Sequence, residues 1–462
     1  MRVLVQLRPS PDVVAAVADP AVTATAADVV NGLPGVLLDP TFTPVAVPRP
    51  LPARAGGDPL SLNQPLIFSM APRDASVLVR GEIADDEVST RLALLSGRGG
   101  VVGVYADPVI QTSLTCGGDG PVGGWRDVRR LLAVERLHAE GYDGSGVALT
   151  VTDTGVNQRH VSATLGADFV LDRERSWSPD GVSGRPGEFD VDHGTMCAFD
   201  ALLAAPKASV IDIPVLLSRR PGGSALDGLL SDAMAAFAHL RTVLDAQPAE
   251  SRALVVTNSW GSFSPDWDFP PGHPGNYSDN PAHPFNLIVG SLAAAGADIL
   301  FAAGNCGREC PDGRCAYPDQ PITGANSHPA VLSVAGVDVT GERVGYSSQG
   351  PGRLADRKPD LAAYTHFAGS GAFGPGEPDS GTSAACPVAA GVVAAIRSRV
   401  PSTVLSPSDL RTLLVRSADD RGVLGYDYDY GYGVVNVPGI VEALHARASE
   451  TRTAEGRPWL VS

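Results

Sequence analysis

Three short stretches carry residue types that can act together on a carbonyl carbon. Asp153, in Asp153-Thr154-Gly155, follows the apolar run Val147-Ala148-Leu149-Thr150-Val151. His193, in Asp192-His193-Gly194-Thr195, opens a helical stretch. Ser383, in Ser380-Gly381-Thr382-Ser383-Ala384-Ala385-Cys386-Pro387, begins an Ala- and Val-rich one. A serine hydroxyl is a weak nucleophile until a base takes its proton. An imidazole base in turn needs an acid to fix its tautomer and stabilise its charged form. Asp, His and Ser supply those three roles. A helix start at Ser383 also offers backbone N–H groups and a positive dipole end where an oxyanion would form. Of the nine histidines only His193 has such company. The others (His138, His160, His239, His273, His283, His328, His366 and His445) read as structural or surface residues.

The elements that must hold these residues alternate. From about residue 125, short apolar runs at 147–151, 210–215, 253–257, 299–302 and 331–337 read as buried strands. Helical stretches at 193–205, within 225–245, at 286–296 and at 383–400 lie between and after them. Such a pattern implies a mostly parallel sheet covered on both faces, with functional groups at the carboxyl ends of its strands. Residues 1–115 read differently. A strand at 1–8, partly helical sequence to about 30, a Pro-rich loop at 44–65, a strand at 76–80, a helix at 85–96 and a strand at 101–105 suggest a small β-α-β-β-α-β unit. The glycines of 116–124 form a flexible linker. The expected organisation is therefore 1–115, a linker at 116–124, a main domain at 125–446, and a tail at 447–462.

Composition narrows the function. The 462 residues carry 35 Lys and Arg against 51 Asp and Glu, a net charge of −16. A chain this acidic is a poor non-specific partner for nucleic acid or an anionic membrane. No apolar stretch reaches the roughly 20 residues of a bilayer span. The N-terminal apolar run is broken by Gln6 and closed by Arg8, without the features of a secretory signal. A cytoplasmic location is expected, with secretion as the alternative. Six cysteines fall far short of a disulfide scaffold. The C-x3-C-x4-C run of Cys306, Cys310 and Cys315 lacks a fourth zinc ligand. Reduced thiols are expected there, ahead of a local disulfide or a zinc site.

The motifs in the order D-T-G, H-G-T, A-A-G-N (Ala302–Asn305) and G-T-S-x-x-x-P resemble those of the subtilisin-like serine proteases, the subtilase family. The resemblance runs from Gly144-Ser145-Gly146 to Gly431–Asn436, about two thirds of the chain. It implies a three-layer α/β/α catalytic domain with a mostly parallel sheet. It further implies an endopeptidase with Asp153, His193 and Ser383 as catalytic triad and Asn305 as oxyanion donor. Ser259, Trp260 and Gly261 would pair with an extended peptide or protein substrate. Calcium is common in such proteins, but no ligand run assigns a site. Cys197, four residues after His193, matches a position where some relatives carry a free thiol, and is read here as small and buried; Cys386 is read as packing. The same resemblance makes 1–115 a ferredoxin-like pro-domain, an intramolecular chaperone and inhibitor whose tail, Val109–Leu114, would add a strand beside Ser259-Trp260-Gly261. A processing or regulatory role is expected. The alternatives are a transacylase using the same acyl-enzyme and an occluded, non-hydrolytic binding protein. An aspartic-protease pair of Asp153 and Asp379 is disfavoured, because Asp379 follows a Pro/Gly loop and the long Ala-rich helices contradict an all-β fold.

Overall fold

The computed structural model describes residues 1–52, 67–116, 120–218 and 227–455, with residues 450–455 by backbone alone. Parts of the Pro-rich loop and of the glycine linker lie outside the described residues.

The N-terminal region is an antiparallel sheet with helices. It contains β1 (Arg2–Leu7), α1 (Pro11–Ala18), β2 (Leu37–Leu38), β3 (Val45–Val47), β4 (Ser76–Glu82), α2 (Val88–Ser96) and β5 (Val101–Ala106). β4 and β5 flank β1, and β2 and β3 both pair with the far side of β4. β1 runs iBBBBB in burial because one of its faces packs on α2 and on Ala26 and Leu33 while the other faces the main domain. The helix expected at 85–96 starts with a single 3-10 turn at Asp85–Glu87 before becoming α-helical.

A short strand, β6 (Val109–Gln111), leads toward the main domain. That domain contains β7 (Ala148–Thr152), β8 (Val170–Leu171), α3 (His193–Leu202), β9 (Ser209–Ile213), β10 (Asp227–Leu229), α4 (Leu230–Asp245), β11 (Leu254–Asn258), α5 (Pro284–Ala294), β12 (Ala297–Ala302), β13 (Leu332–Val337), β14 (Leu361–Tyr364) and α6 (Thr382–Arg397). Its seven-stranded sheet has the order β8-β9-β7-β11-β12-β13-β14 and is parallel throughout. β11 and β12 are buried at every residue, as strands covered on both faces must be. One face packs on α3 and α6, the other on α4 and α5. This is the three-layer α/β/α arrangement.

The N-terminal sheet closes over the outer side of α4 and α5. Leu4, Val45, Val47 and Leu78 share a core with Phe237 and Phe285. Two polar anchors fix it. The Asp107 carboxylate accepts from the backbone N–H and the hydroxyl of Ser231, both at 2.8 Å, satisfying a donor in the first turn of α4. Arg80 donates to Asp232 at 2.8 Å and Ser231 at 3.0 Å.

Several expected boundaries shift. β8, β10 and β14 are additional strands, two to four residues long, in sequence that lacked a strand pattern. The boundary expected at 446/447 falls inside a helix, Val437–Glu455.

Candidate active site

The carboxyl ends of β7, β11 and β12 meet the N-termini of α3 and α6, and there the sequence-selected residues converge. Asp153 follows β7 directly, and His193 is the first residue of α3. His193 Nδ1 lies 2.8 Å from Asp153 Oδ1, and both residues are buried. The D-T-G and H-G-T turns touch. The Gly194 N–H donates to Thr154 Oγ1 at 2.8 Å, and a Cβ on Gly194 would stand 2.5 Å from the Gly155 carbonyl oxygen. That contact is why glycine follows the histidine. Burial pushes the imidazole pKa down, but the Asp153 carboxylate outweighs it, and the net shift is upward from the ordinary value.

Ser383 is the second residue of α6, after Gly381 with φ +78°. The P of G-T-S-x-x-x-P has a local explanation. Pro387 lies four residues after Ser383 and has no N–H, so the Ser383 carbonyl loses its helical partner. It accepts instead from the Ser259 hydroxyl at 2.9 Å and from Cys197 Sγ at 3.5 Å. Ser259 and Cys197 thereby tie the start of α6 to β11 and α3. The Ser383 hydroxyl donates to the Ser259 carbonyl at 3.5 Å.

Asn305 follows β12 after Ala303-Gly304. Its Oδ1 accepts from the Thr382 N–H at 2.9 Å and the Thr382 hydroxyl at 3.0 Å, which leaves Nδ2 to face the cleft. There Nδ2 donates to the carbonyl of Ser113 at 3.0 Å. The chain's own residues 109–114 fill the cleft as an extended strand. Gln111 and Gly261 exchange both backbone hydrogen bonds at 3.0 Å, and on the other side β6 pairs antiparallel with β10.

Gly261 thus meets the segment through its backbone, whereas the bonds of Ser259 go to Ser383. The Trp260 side chain packs between Phe285 and Phe301 in the core, and its carbonyl accepts from Asn326 Nδ2. Strand alternation turns that ring away from the peptide.

Sequence reasoning missed the loop after Asn305. Its cysteines form the disulfides Cys306–Cys315 and Cys116–Cys310, against the expectation of reduced thiols. The second joins residues 194 apart, a pairing that spacing within the 306–315 run could not reveal. Between them, Asp312 accepts from the Leu114 N–H at 2.6 Å. Arg314 donates to Gln111 Oε1 at 2.6 Å and to the Thr112 carbonyl at 2.9 Å. Cys197 and Cys386 are free and buried, as read from the sequence, and burial raises both thiol pKa values, that of Cys386 to about 12. The Asp379 carboxylate is occupied by the Ser370 hydroxyl and N–H, while Asp153 is held by His193, so the two do not share a proton. Among the described residues, the one cluster of three ligating side chains is Asp153, His193 and Cys197. One oxygen, one nitrogen and one sulfur do not suit calcium, which takes six to eight oxygens.

Residues 144–433 match the model of the subtilase family. The chain is 27% identical to Subtilisin DY of Bacillus licheniformis over 313 residues, covering 66% of this chain and 95% of that one. It is 26% identical to Subtilisin E of Bacillus subtilis over 305 residues, covering 65% and 67%. A calcium-dependent protease of Nostoc sp. is 29% identical over 345 residues, covering 65% of this chain and 46% of the relative. With the match to the family model spanning more than half of its length, the chain belongs to the subtilase family and is a subtilisin-like serine endopeptidase.

Proposed function

We propose that Ser383, His193, Asp153 and Asn305 carry this activity. His193 Nε2 takes the Ser383 proton as Oγ attacks the peptide carbonyl. Asp153, on Nδ1, orients the ring and stabilises the imidazolium. The carbonyl electron pair moves onto oxygen, where the Asn305 amide and the Ser383 N–H receive it. Collapse breaks the C–N bond, His193 protonates the departing amine, and water then hydrolyses the acyl-enzyme by the same proton path. The observation that carries the reading is the Ser113 carbonyl 3.0 Å from Asn305 Nδ2, in a cleft that Ser113 and Ser383 both line, with His193 Nδ1 held 2.8 Å from Asp153.

On this reading residues 1–115 are a pro-domain, and the catalytic domain runs from 125 through the helix Val437–Glu455. The strand order β3-β4-β1-β5 with a helix in each crossover supports the ferredoxin-like description, and residues 109–113 act as a substrate-like inhibitor. Peptide or protein substrates would bind as β6 does, between β10 and Gly261. A self-cut between Ser113 and Leu114 follows. One observation favours a second outcome at the same acyl-enzyme. The Cys116–Cys310 bond and Asp312 hold the leaving side in place, so the freed Leu114 amine can return and re-form the bond, as in a transacylase. Two disulfides suit an oxidising compartment, so we place the working protein outside the reducing cytoplasm. The calcium-dependent relative makes calcium a candidate ion, and no site is assigned to it.

The test is Ser383→Ala in the full chain. Loss of casein hydrolysis and of the 113–114 cut, with circular dichroism unchanged, is expected. Undiminished hydrolysis would overturn the reading.

A further inference from the structure

Ser113 lines a cavity together with Gly261, Ala303, Thr323 and Asn326, close to Ser383. Asn326 lies in the 3-10 turn Gly324–Ser327 and is 5% exposed. Its Nδ2 donates to the Trp260 carbonyl and to the Ala302 carbonyl, both at 2.9 Å. Those carbonyls follow β11 and end β12, the two strands whose continuations wall the cavity. A carbonyl oxygen only accepts, so the amide must present its NH2 to both, and both N–H bonds are consumed. Asn326 Oδ1 is then left as an acceptor beside the cavity and finds no donor among the described residues. Buried acceptors are rarely left so, because the group gave up water to be there. Ser113 does not satisfy it: its hydroxyl makes no bond to Asn326. The cavity as a whole keeps about 20 Å³ free, room for one or two water molecules. Among the described residues, no charged side chain lines the cavity.

We propose that Asn326 is the specificity-determining residue of the cleft. It accepts a hydrogen bond from the side chain of the residue whose carbonyl Asn305 holds, and so favours cleavage after an uncharged, donor-bearing side chain slightly longer than serine, asparagine above all. The inference rests on the catalytic reading above. Asparagine adds two heavy atoms to the serine frame and ends in an NH2. Leucine has the same reach without a donor and leaves Oδ1 unpaired. Aspartate has the same shape but sets lone pairs against lone pairs. A site built to hydrogen-bond a substrate group discriminates strongly against the analogue that lacks it. Lysine and arginine find no counter-charge there.

The chain carries its own substrate, so the test uses the full-length protein refolded from denaturant. The rate of the cut after residue 113 is read by intact mass for wild type, Ser113→Asn, Ser113→Leu and Ser113→Asp, with Ser383→Ala as the blank. Ser113→Asn is expected to be cut at least about 10-fold faster than the Leu and Asp variants. That is the effect of about 1.4 kcal/mol. In an Asn326→Leu background the Asn-to-Leu ratio is expected to fall to one or below. If that background fails to fold, the Ser113 series with Asn326 intact decides alone. Ser383-dependent cutting at equal rates, faster cutting of Ser113→Leu, or a cut displaced from residue 113 would overturn this inference and leave the catalytic reading standing. No Ser383-dependent cut in any chain, together with no hydrolysis of casein, would overturn both.

Discussion

Gln111→Pro isolates the grip of the cleft on the chain's own segment. Gln111 donates its N–H to the Gly261 carbonyl at 3.0 Å, and its side chain meets Asp227 and Arg314 Nη1. Proline deletes the N–H and the amide, while its fixed φ and its effect on Ile110 keep the backbone extended. The backbone bond is worth about 1 kcal/mol. Each side-chain bond involves a charged partner but is partly hydrated, Arg314 being 34% exposed, so about 0.5–1 kcal/mol apiece is appropriate. The total, about 2–3 kcal/mol, raises the population of the open cleft about 30- to 140-fold. The assay is the rate at which a peptidyl phosphonate labels Ser383, since the reagent needs the cleft that residues 109–113 fill. Labelling accelerated by that factor is expected. An unchanged rate in a folded variant would refute the claim that this strand competes with substrate.

Other outcomes follow from the same geometry. The His193 pKa lies above its ordinary 6.5, and on the proposed reading the neutral ring is the base, so hydrolysis is expected to be full above that pKa and to fall as pH drops through it. The acid limb of kcat/KM should therefore have its midpoint above pH 6.5, and Asp153→Asn should move it downward while cutting turnover by about 10⁴, the loss seen when a triad acid is neutralised. Asn305→Ala is expected to lower kcat by about 10²–10³, a magnitude measured in a subtilisin, a relative of this chain, with KM little changed. Gly381→Ala places a Cβ 2.8 Å from Asn305 Nδ2 at a backbone with φ +78°, so turnover should fall as in the Asn305 variant even though neither reacting side chain is altered.

What the sequence made legible was local. Asp153, His193, Asn305 and Ser383 each sit within a residue or three of a strand end or a helix start, and a parallel sheet brings such positions to one edge whatever the rest of the chain does. The strands holding them are apolar runs bounded by turns, and these were read to within a few residues. What escaped was juxtaposition. Asn326 is one polar residue in a turn, and its importance comes from two carbonyls 66 and 24 residues earlier. Asp312 and Arg314 belong to the site only through their bonds to residues 111–114, which lie about 200 residues away in sequence. The same loop's cysteines gave no sign that Cys116 would reach back to Cys310. Trp260 erred the other way. Its neighbours Ser259 and Gly261 belong to the cleft, but the pleat directs the indole into the core, and nothing in a three-residue motif states which face is up. β10 is three residues at the head of a long helix, too short to carry a period of its own.

The central claim is that Ser383 is the nucleophile activated by His193. The most direct measurement is to label the folded full-length chain with a peptidyl phosphonate and locate the adduct by peptide mapping. A single adduct on Ser383 is expected, lost in His193→Ala and in protein inactivated by denaturant. An adduct on any other residue, or one on Ser383 that forms equally fast without His193, would contradict the account.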